Sequence, residues 1–519
     1  MEHCVQHAHW AGGVRGSIAL ALGFYIRRCP LVYRSLRFGL VSLIVLAFLL
    51  PLAITTANNP PFRQWLPAVF APSGEPQYWI NAPYFPVANV TNDRFDEMAI
   101  FWFGQVSYTS NYTDVRIGYN NEALYLYLAV FDRQLWYDTT PAAADLTAWD
   151  AATVFIDTGG GSQLGATSYR LVAQFRGPPE PDARYQLSQR ASGGSWAAAT
   201  VAFSTIPGWR GDSLNNDNDE DRGWAMTFRI PFTSLGLAGR PADGTQWRLG
   251  VIVHDRDNAA GTPIADQVWP PNLNPNQPRT WGGLRFGLPV YTPPPVSATQ
   301  EYLLRHGLNG VTVADAGVGG QSSTDDPDDP DDPEDNMCNA DGNFWDRWGN
   351  WSQPADKADV NIQNQADISD WPCFAKYYLT FPLNSLPAGR TVVSAKLILS
   401  QMGNAQPQDA KPSLIQAMVV GEDWNPNALT WNNAPLAREN GGSCWIGVMF
   451  DQPDWNNLPK CEIDVTRGVV QAYANGQPLR LAIYSADSAY HSGKFFVTSR
   501  TGDWNEQNRP TLVVVLSRP

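Results

Sequence analysis

Apolar and polar side chains alternate in short segments through the first half of the chain, a pattern typical of β-strands. In residues 114–132 the alternation lies on both sides of Asn120 and Asn121, which predicts a hairpin. The second strand of this hairpin also carries Tyr125, Tyr127 and Phe131 on its opposite face. Both of its faces are therefore apolar, as in the middle of a sandwich.

Four more segments continue the alternation, at 151–157, 168–175, 224–232 and 246–255. None of them shows a long helical period. We therefore predict an all-β fold for residues 76–290, an antiparallel, jelly-roll-like β-sandwich.

The same alternation returns in residues 337–519, where 376–400 form two predicted strands joined by a Pro-Gly loop. Residues 463–476 instead have helical spacing. Thr466 or Asp464 could cap this helix and Gly476 could end it. A second antiparallel β-sandwich with one short helix is predicted here.

Residues 291–336 between the two sandwiches are predicted to be a linker. Its core is DDPDDPDDPED, at 325–335, in which like charges repel and proline keeps the chain extended. Such a run predicts a semi-rigid spacer of roughly 30 Å. Two weak binding sites held on this spacer would gain avidity on a polymer.

The N-terminus carries a predicted targeting segment. Residues 38–54 form an apolar run that follows several arginines, which makes 1–37 a cytoplasmic region or n-region. Residues 38–57 are then a signal peptide or a transmembrane anchor helix, and the length of the run fits both. The arginines place the rest of the chain outside, so an extracellular or cell-surface protein is expected.

Composition agrees with export. Charged residues make up only 17% and aromatic residues 12%, with abundant glycine and proline, which favours extracellular all-β domains over a cytosolic helical enzyme. The net charge of −14 argues against nucleic acid and anionic membranes as partners. Membrane contact is expected only through the N-terminal apolar segment.

Cysteine positions fit the same compartment. Cys4 and Cys29 precede the apolar run, whereas four cysteines lie in the C-terminal part of the chain. The disulfide candidates are Cys338, Cys373, Cys444 and Cys461. They permit two disulfides in three pairings, and free buried thiols are the alternative.

The first sandwich resembles family 9 carbohydrate-binding modules and their DOMON-like relatives. The resemblance rests on the order of NNEALYLYLAVFD, AWDAATVFIDT, WAMTFRIPFTSLG, WRLGVIVHDRD and PRTWGGLRFG over about 200 residues. It implies a β-sandwich that binds sugar chains or their ends, often with structural calcium.

The C-terminal segment resembles the DNRLRE domain, a disaggregatase-related β-sandwich that is also classed as a carbohydrate-binding module. The matching motifs are YYLTFPLNSLPAGRTVVSAKLIL, DWNPNALTWNNAP and SRTGDWNEQNRPTLVVV. The stretch at 345–372 departs from the pattern, because it is longer and richer in tryptophan than this resemblance leads one to expect.

Tryptophans are the main candidates for sugar contact, because C–H groups of sugar faces pack on aromatic rings while polar neighbours fix the hydroxyls. The alternative for each is a place at the edge of a core. The candidates in the first sandwich are Trp149, Trp269 and Trp281, with Asp150 and Arg279 as polar companions. In the second sandwich they are Trp345, Trp348 and Trp351.

Trp424 and Trp431 in DWNPNALTWNNAP are interpreted differently. In the DNRLRE-like family this pattern recurs as a connection between strands, which favours an architectural role. We predict that both rings pack structurally and that Asn432 and Asn433 hold the turn backbone. The alternative is that one ring lies on a sugar-binding surface.

Two acidic segments are candidates for structural calcium. Asp217, Asp219 and Asp221 alternate in one loop, where they could converge on a hard cation. Asp255 and Asp257 lie at a predicted strand end. A solvated acidic loop is the alternative.

Catalytic motifs are missing from the sequence: it has no G-x-S-x-G, HExxH, phosphate loop or CxxC. The sequence therefore predicts a non-enzymatic protein that binds polysaccharide or oligosaccharide, in carbohydrate catabolism or in attachment to glycans. One alternative is a structural adhesion protein that binds protein partners. Another is a haem-binding redox protein of DOMON type, with Met98, Met226 and His254 as candidate ligands.

Overall fold

A computed structural model describes eight stretches of the chain. They are residues 75–178, 182–320, 344–353, 356–368, 371–405, 408, 410–450 and 453–519. All belong to one compact unit, Trp65–Pro519. Segments 1–37 and 38–57, the Asp-Pro run and Cys338 lie outside them. Within these stretches, no helix is long and apolar enough to cross a bilayer.

The described residues of the first half form thirteen strands. They are β1 (Trp79–Ala82), β2 (Ala99–Ser107), β3 (Ser110–Tyr119), β4 (Ala123–Phe131), β5 (Ala151–Asp157), β6 (Ser168–Gln174), β7 (Gln186–Ser192), β8 (Ser195–Ala198), β9 (Ser204–Arg210), β10 (Gly223–Pro231), β11 (Gln246–His254), β12 (Gln267–Trp269) and β13 (Gly282–Phe286). A sheet in the order β2-β3-β4-β10-β9 packs on a layer ordered β1-β13-β11-β5-β6-β7-β8. The predicted hairpin is confirmed as β3 and β4, and Asn120 Oδ1 accepts the Glu122 and Ala123 amides in its turn.

In the second half, the part of the chain that the structure describes adds eleven strands and two short α-helices. They are β14 (Thr299–Arg305), β15 (Ala314–Gly319), α1 (Phe344–Arg347), β16 (Asp359–Ile362), β17 (Ala375–Phe381), β18 (Val392–Asn404), β19 (Ser413–Val420), β20 (Ala437–Ile446), β21 (Lys460–Asp464), α2 (Thr466–Ala474), β22 (Leu479–Ser485), β23 (Lys494–Val497) and β24 (Thr511–Ser517). A sheet in the order β14-β24-β18-β23-β16 faces β15-β17-β22-β19-β20 across a second core. The all-β prediction is confirmed for the described residues.

Part of the predicted linker 291–336 forms strands of the second sandwich. Its strands β14 and β15 pair with β24 and β17, so both belong to the second sandwich. Most of β14 is exposed and only Leu304 is buried, which is the profile of a sheet edge. An edge strand of this kind has little apolar patterning, and composition alone does not separate it from a linker.

The two sandwiches are fused. Strand β1 pairs with β13 on one side and with β20 on the other, so one thirteen-stranded sheet runs through both halves. A shared core, which contains Trp102, Tyr127, Trp345, Tyr378 and Trp431, fills the space between the halves. This direct packing corrects the predicted arrangement of two modules held apart by a 30 Å spacer.

The shared core explains the doubly apolar strand β4. Its Leu124, Leu126 and Leu128 side chains lie in the core of the first sandwich. Tyr125 and Tyr127 point the other way, into the shared core. The five-stranded sheet is therefore a middle layer, covered on both faces.

Buried polar groups also join the halves. Arg116 of β3 donates to the Ala486 carbonyl at 3.0 Å and to Asn364 Oδ1 at 2.8 Å. The Lys376 ammonium lies 3.6 Å from the centre of the Trp431 ring and 4.3 Å from that of Trp102. Burial lowers the pKa of Lys376 well below its ordinary value, although the nearby Asp114 acts in the opposite direction. Separating the two sandwiches would cost free energy, because each of these buried groups would lose its partners.

Two further predictions fall in the second sandwich. The predicted helix is confirmed as α2: Asp464 Oδ1 accepts the Thr466 amide at its start, and Gly476 takes a left-handed φ of +61° just after its end. A disulfide joins Cys444 of β20 to Cys461 of β21. Cys373 is also disulfide-bonded.

Candidate functional site

Two predicted sugar-stacking tryptophans of the first sandwich are buried. Trp269 is 0% exposed and packs on Phe101, with ring centres 4.3 Å apart. Trp281 is 1% exposed and stacks parallel to Trp196 at 6.4 Å. Neither ring presents a free face, so the structure gives both a packing role instead of the predicted stacking role.

The tryptophan-rich stretch of the second sandwich is corrected in the same way. Trp345 and Trp348 are buried against Trp371, with ring centres 4.6 and 5.7 Å away. They cover the aromatic face of the middle sheet, which is the reason this stretch holds so many indoles. Trp351 is half-buried.

Both tryptophans of DWNPNALTWNNAP are also packed. Trp431 is 4% exposed and lies 4.8 Å from Trp348, centre to centre, while Trp424 is half-buried against the same shared core. Asn433 holds the turn, because it accepts the Thr430 amide and donates to the Ala428 carbonyl. Asn432 instead pairs with both backbone groups of Val106 in the first sandwich.

A polar cavity of about 1000 Å³ opens beside Trp281. It brings together the predicted Arg279 and Trp281, while Trp149 and Trp269 do not line it. Its other polar lining side chains include Glu75, Gln77, Gln163, Asn272, Asn276 and Gln277. Amide, carboxylate and guanidinium groups of this kind suit a ligand rich in hydroxyls.

Two loops shape this cavity. The Trp281 indole donates to the Asn274 carbonyl at 2.9 Å, and the Arg279 amide donates to the Ser162 carbonyl at 3.3 Å. The exposed Arg279 guanidinium donates to Gln277 Oε1 at 3.1 Å. The polar groups therefore stand on two loops that are hydrogen-bonded to each other.

Asp150 does not accompany a sugar-stacking ring. It is fully buried, and its two oxygens accept the backbone amides of Trp136 at 2.7 Å and Arg256 at 2.9 Å. The neighbouring Trp149 is half-buried. Because Asp150 is buried, it does not contact a ligand in the polar cavity. It lies instead in a cluster of acidic groups.

This aspartate cluster consists of Asp132, Asp150 and Asp255, each of which contributes an oxygen within 4.8 Å of the others. Asp132 follows β4, Asp150 precedes β5 and Asp255 follows β11, so the cluster joins both sheets at one end of the sandwich. All three carboxyls are buried. Burial and then the neighbouring carboxylates raise the pKa of each well above its usual range.

The donor set of the aspartate cluster fits a hard cation. Carboxylate oxygens are the ligands that calcium prefers, and three of them in a desolvated site need either protons or a cation. Asp255 Oδ1 is buried and accepts no hydrogen bond within the described residues. Asp257 lies near enough to raise the pKa of Asp255 further. Of the predicted calcium ligands, this site therefore includes Asp255, with Asp257 beside it.

The other predicted calcium loop does not converge. Asp221 accepts the amides of Leu135 and Asp212 at 3.1 Å, and Asp219 accepts from Ser213 Oγ at 2.8 Å. The Asp217 side chain is exposed. Asp219 and Asp221 thus bind donors of the protein itself, and among the described residues these three aspartates do not form a metal-binding group. Calcium at this loop stays a prediction.

The predicted haem ligands lie apart. Met98 belongs to the shared core and Met226 to the core of the first sandwich. The two ring nitrogens of His254 lie 3.0 Å from Thr153 Oγ1 and 2.9 Å from Asp266 Oδ1. Because the three side chains do not meet, the structure offers no basis for the haem alternative.

Two groups of residues were missed by the sequence analysis. Asp132 directly follows strand β4, and its signal was the aspartate after an apolar strand that also marks Asp255. Trp455 and Trp504 form a pair on the second sandwich in which Trp504 is exposed and Trp455 is half-buried. Their signal was the tripeptide Asp-Trp-Asn, which occurs at 423–425, 454–456 and 503–505.

Comparison with known families identifies a match in the second sandwich. Residues 356–515 match carbohydrate-binding module family 96, which covers most of the second sandwich and well under half of the chain. The resemblances to DNRLRE and DOMON-like domains stay predictions. None of the curated proteins compared with the chain matches it.

Two solved structures of a family 9 carbohydrate-binding module from Caldicellulosiruptor kristjanssonii are similar to part of the chain. The complex with cellotriose is 14% identical, covers 40% of this chain and 93% of its own, and has a TM-score of 0.29. The complex with glucose is also 14% identical, covers 41% and 98%, and has a TM-score of 0.28. Scores this low do not by themselves establish a shared fold.

Proposed function

We propose that this chain is an exported, non-catalytic protein that binds polysaccharide. The match of residues 356–515 to carbohydrate-binding module family 96 carries the proposal. The polar cavity of the first sandwich supports it, because amide and guanidinium side chains line a space that a sugar unit or a short oligosaccharide could enter.

The proposal includes two further parts, export and a structural cation. The apolar run at 38–54 would export the chain, as a cleaved signal or as an anchor. A structural calcium ion would be held by the aspartate cluster. It would neutralise three buried carboxylates and thereby fix the ends of β4, β5 and β11 beside one another.

Affinity electrophoresis of residues 58–519 tests the binding function. The gels contain xylan, cellulose, mannan, alginate or pectin, with and without calcium. We expect at least one polymer to retard the protein. If the polar cavity takes part, Asn276→Ala and Arg279→Ala should each reduce the retardation, while the exposed Arg184→Ala on the same sandwich should not.

No retardation by any polymer, with the protein folded, would contradict the proposal. Capture of surface proteins in that case would favour the adhesion alternative. A reducing-sugar assay on the polymer that binds tests the non-catalytic part. Release of reducing ends above the level of a heat-inactivated control would overturn that part alone.

A further inference from the structure

Two indole rings meet on the surface of the second sandwich. Trp455 lies in the connection between β20 and β21, and Trp504 lies in a 3₁₀-helix, Asp503–Asn508, that precedes β24. Their ring centres are 5.2 Å apart and the planes cross at 79°. Trp504 is 67% exposed, whereas the buried tryptophans described above have almost no free surface.

The pair is held in place by its surroundings. A Cβ on Gly502 would come within 2.9 Å of the Trp504 atoms Cδ1 and Nε1, so this ring lies directly on the glycine backbone. Asn508 is buried and donates to the Trp455 carbonyl at 2.7 Å. It also accepts from the Lys460 ammonium, so one side chain ties both loops to the strands below. Such a surface is fixed before any ligand arrives.

Packing does not explain why Trp504 is an indole. Within the described residues, neither Trp504 nor Trp455 belongs to any hydrophobic core cluster. A single exposed apolar ring is common on proteins, but the contact with Trp455 makes Trp504 part of a contiguous apolar patch, and such patches mark contact surfaces. Indole rings bind sugars because pyranose C–H groups pack on the ring face while nearby polar groups bond the hydroxyls.

Charge selects among polysaccharides. Asp454 and Asp503 stand directly before the two tryptophans in the chain, and Glu506 lies in the same 3₁₀-helix. The Asp503 side chain is 94% exposed, although it pairs with the Arg509 guanidinium at 2.8 Å. Exposed carboxylates on the two loops that carry the rings would repel a uronate polymer and accept hydrogen bonds from a neutral one.

We propose that Trp455 and Trp504 form a sugar-stacking platform for a neutral polysaccharide. This platform is a second site, on the opposite half of the fold from the polar cavity. The inference rests on the proposed function, and it names the face and the ligand class through which the second sandwich takes part.

The test measures binding of the whole protein, residues 58–519, to soluble xylan, glucomannan and alginate by affinity electrophoresis. The variants are Trp504→Ala and Trp455→Ala. Trp445→Ala is the matched control, since Trp445 is 51% exposed on strand β20 of the same sandwich. A near-ultraviolet circular dichroism spectrum and the thermal midpoint of each variant check that it remains folded.

We expect Trp504→Ala to weaken binding to one neutral polymer by about tenfold, the loss that a single aromatic contact of about 1.4 kcal/mol produces. Trp455→Ala should also weaken it, and Trp445→Ala should bind as the unchanged protein does. Asn276→Ala, in the polar cavity, should leave the effect of Trp504→Ala intact.

Three results would contradict the proposal, either the platform itself or the choice of a neutral polysaccharide. If the unchanged protein binds but Trp504→Ala binds equally well, the platform is wrong while the proposed function stands. If Trp504→Ala affects alginate alone, the charge argument is wrong. If the unchanged protein binds no polymer, the proposed function fails, and the platform fails with it.

Discussion

Trp431 provides the sharpest test of whether a tryptophan in this chain packs or binds. Its ring is 4% exposed and lies 4.8 Å from Trp348 and 4.9 Å from Tyr112, measured between ring centres. The Lys376 ammonium sits 3.6 Å from the ring centre. These neighbours come from both sandwiches, so Trp431→Ala would remove the contact that several elements share.

The size of the effect follows from this burial. Truncation of a buried tryptophan to alanine costs about 3–5 kcal/mol, through lost transfer free energy and the cavity left behind. The Lys376 amine would also lose the ring that lies 3.6 Å from it, in a place where water does not replace that contact. Since these terms overlap, we expect the free energy of unfolding to fall by about 3–5 kcal/mol in total.

Urea denaturation followed by circular dichroism and tryptophan fluorescence measures this change. Trp504→Ala is the matched control, because its ring is largely exposed, and it should alter the stability by less than about 0.5 kcal/mol. If Trp431→Ala unfolds at the same urea concentration as the unchanged protein but loses polysaccharide binding, the packing argument is refuted and the ring is a binding surface.

Three more predictions concern the interface and the aspartate cluster. Arg116→Ala should lower the free energy of unfolding by about 3–5 kcal/mol, because Asn364 and two carbonyls would lose a buried charged partner. Urea denaturation measures this, with the exposed Arg184→Ala as the control. An unchanged unfolding curve for Arg116→Ala would contradict the prediction. Residues 291–519 expressed alone should bind the dye ANS and lack a cooperative unfolding transition, since the shared core would face water; a folded monomer with dispersed amide resonances would show that the sandwiches are independent. In EDTA, the free energy of unfolding should fall as the pH rises above about 4, because the raised pKa values let the native cluster keep protons that the unfolded chain releases. Added calcium should remove that decline. A urea midpoint that calcium does not change near pH 7 would exclude the ion.

Local pattern was enough to predict the elements. Alternation over 114–132 defined the β3–β4 hairpin, and the spacing of 463–476 defined α2, because these structures depend on side chains that are close in sequence. Because β4 is apolar on both faces, the sequence also indicated a strand in the middle of a sandwich. What covers the second face was not in that pattern, since the covering residues lie more than 200 positions away, as Tyr127 and its partner Ala366 show.

The candidate sites were less predictable, because exposure and convergence are properties of the fold. Nothing local distinguishes Trp431 from Trp504: each stands in an Asn-rich loop, yet one is buried between two sandwiches and the other lies on the surface. In the same way, Asp132, Asp150 and Asp255 meet only because three strands end at one edge of the sandwich. The sequence by itself determined most of the apolar strands, the helix α2 and an abundance of indole rings, but not the edge strand β14. The tertiary structure decided which rings meet water and which carboxylates meet each other, because both depend on strands that pair across long separations in the chain.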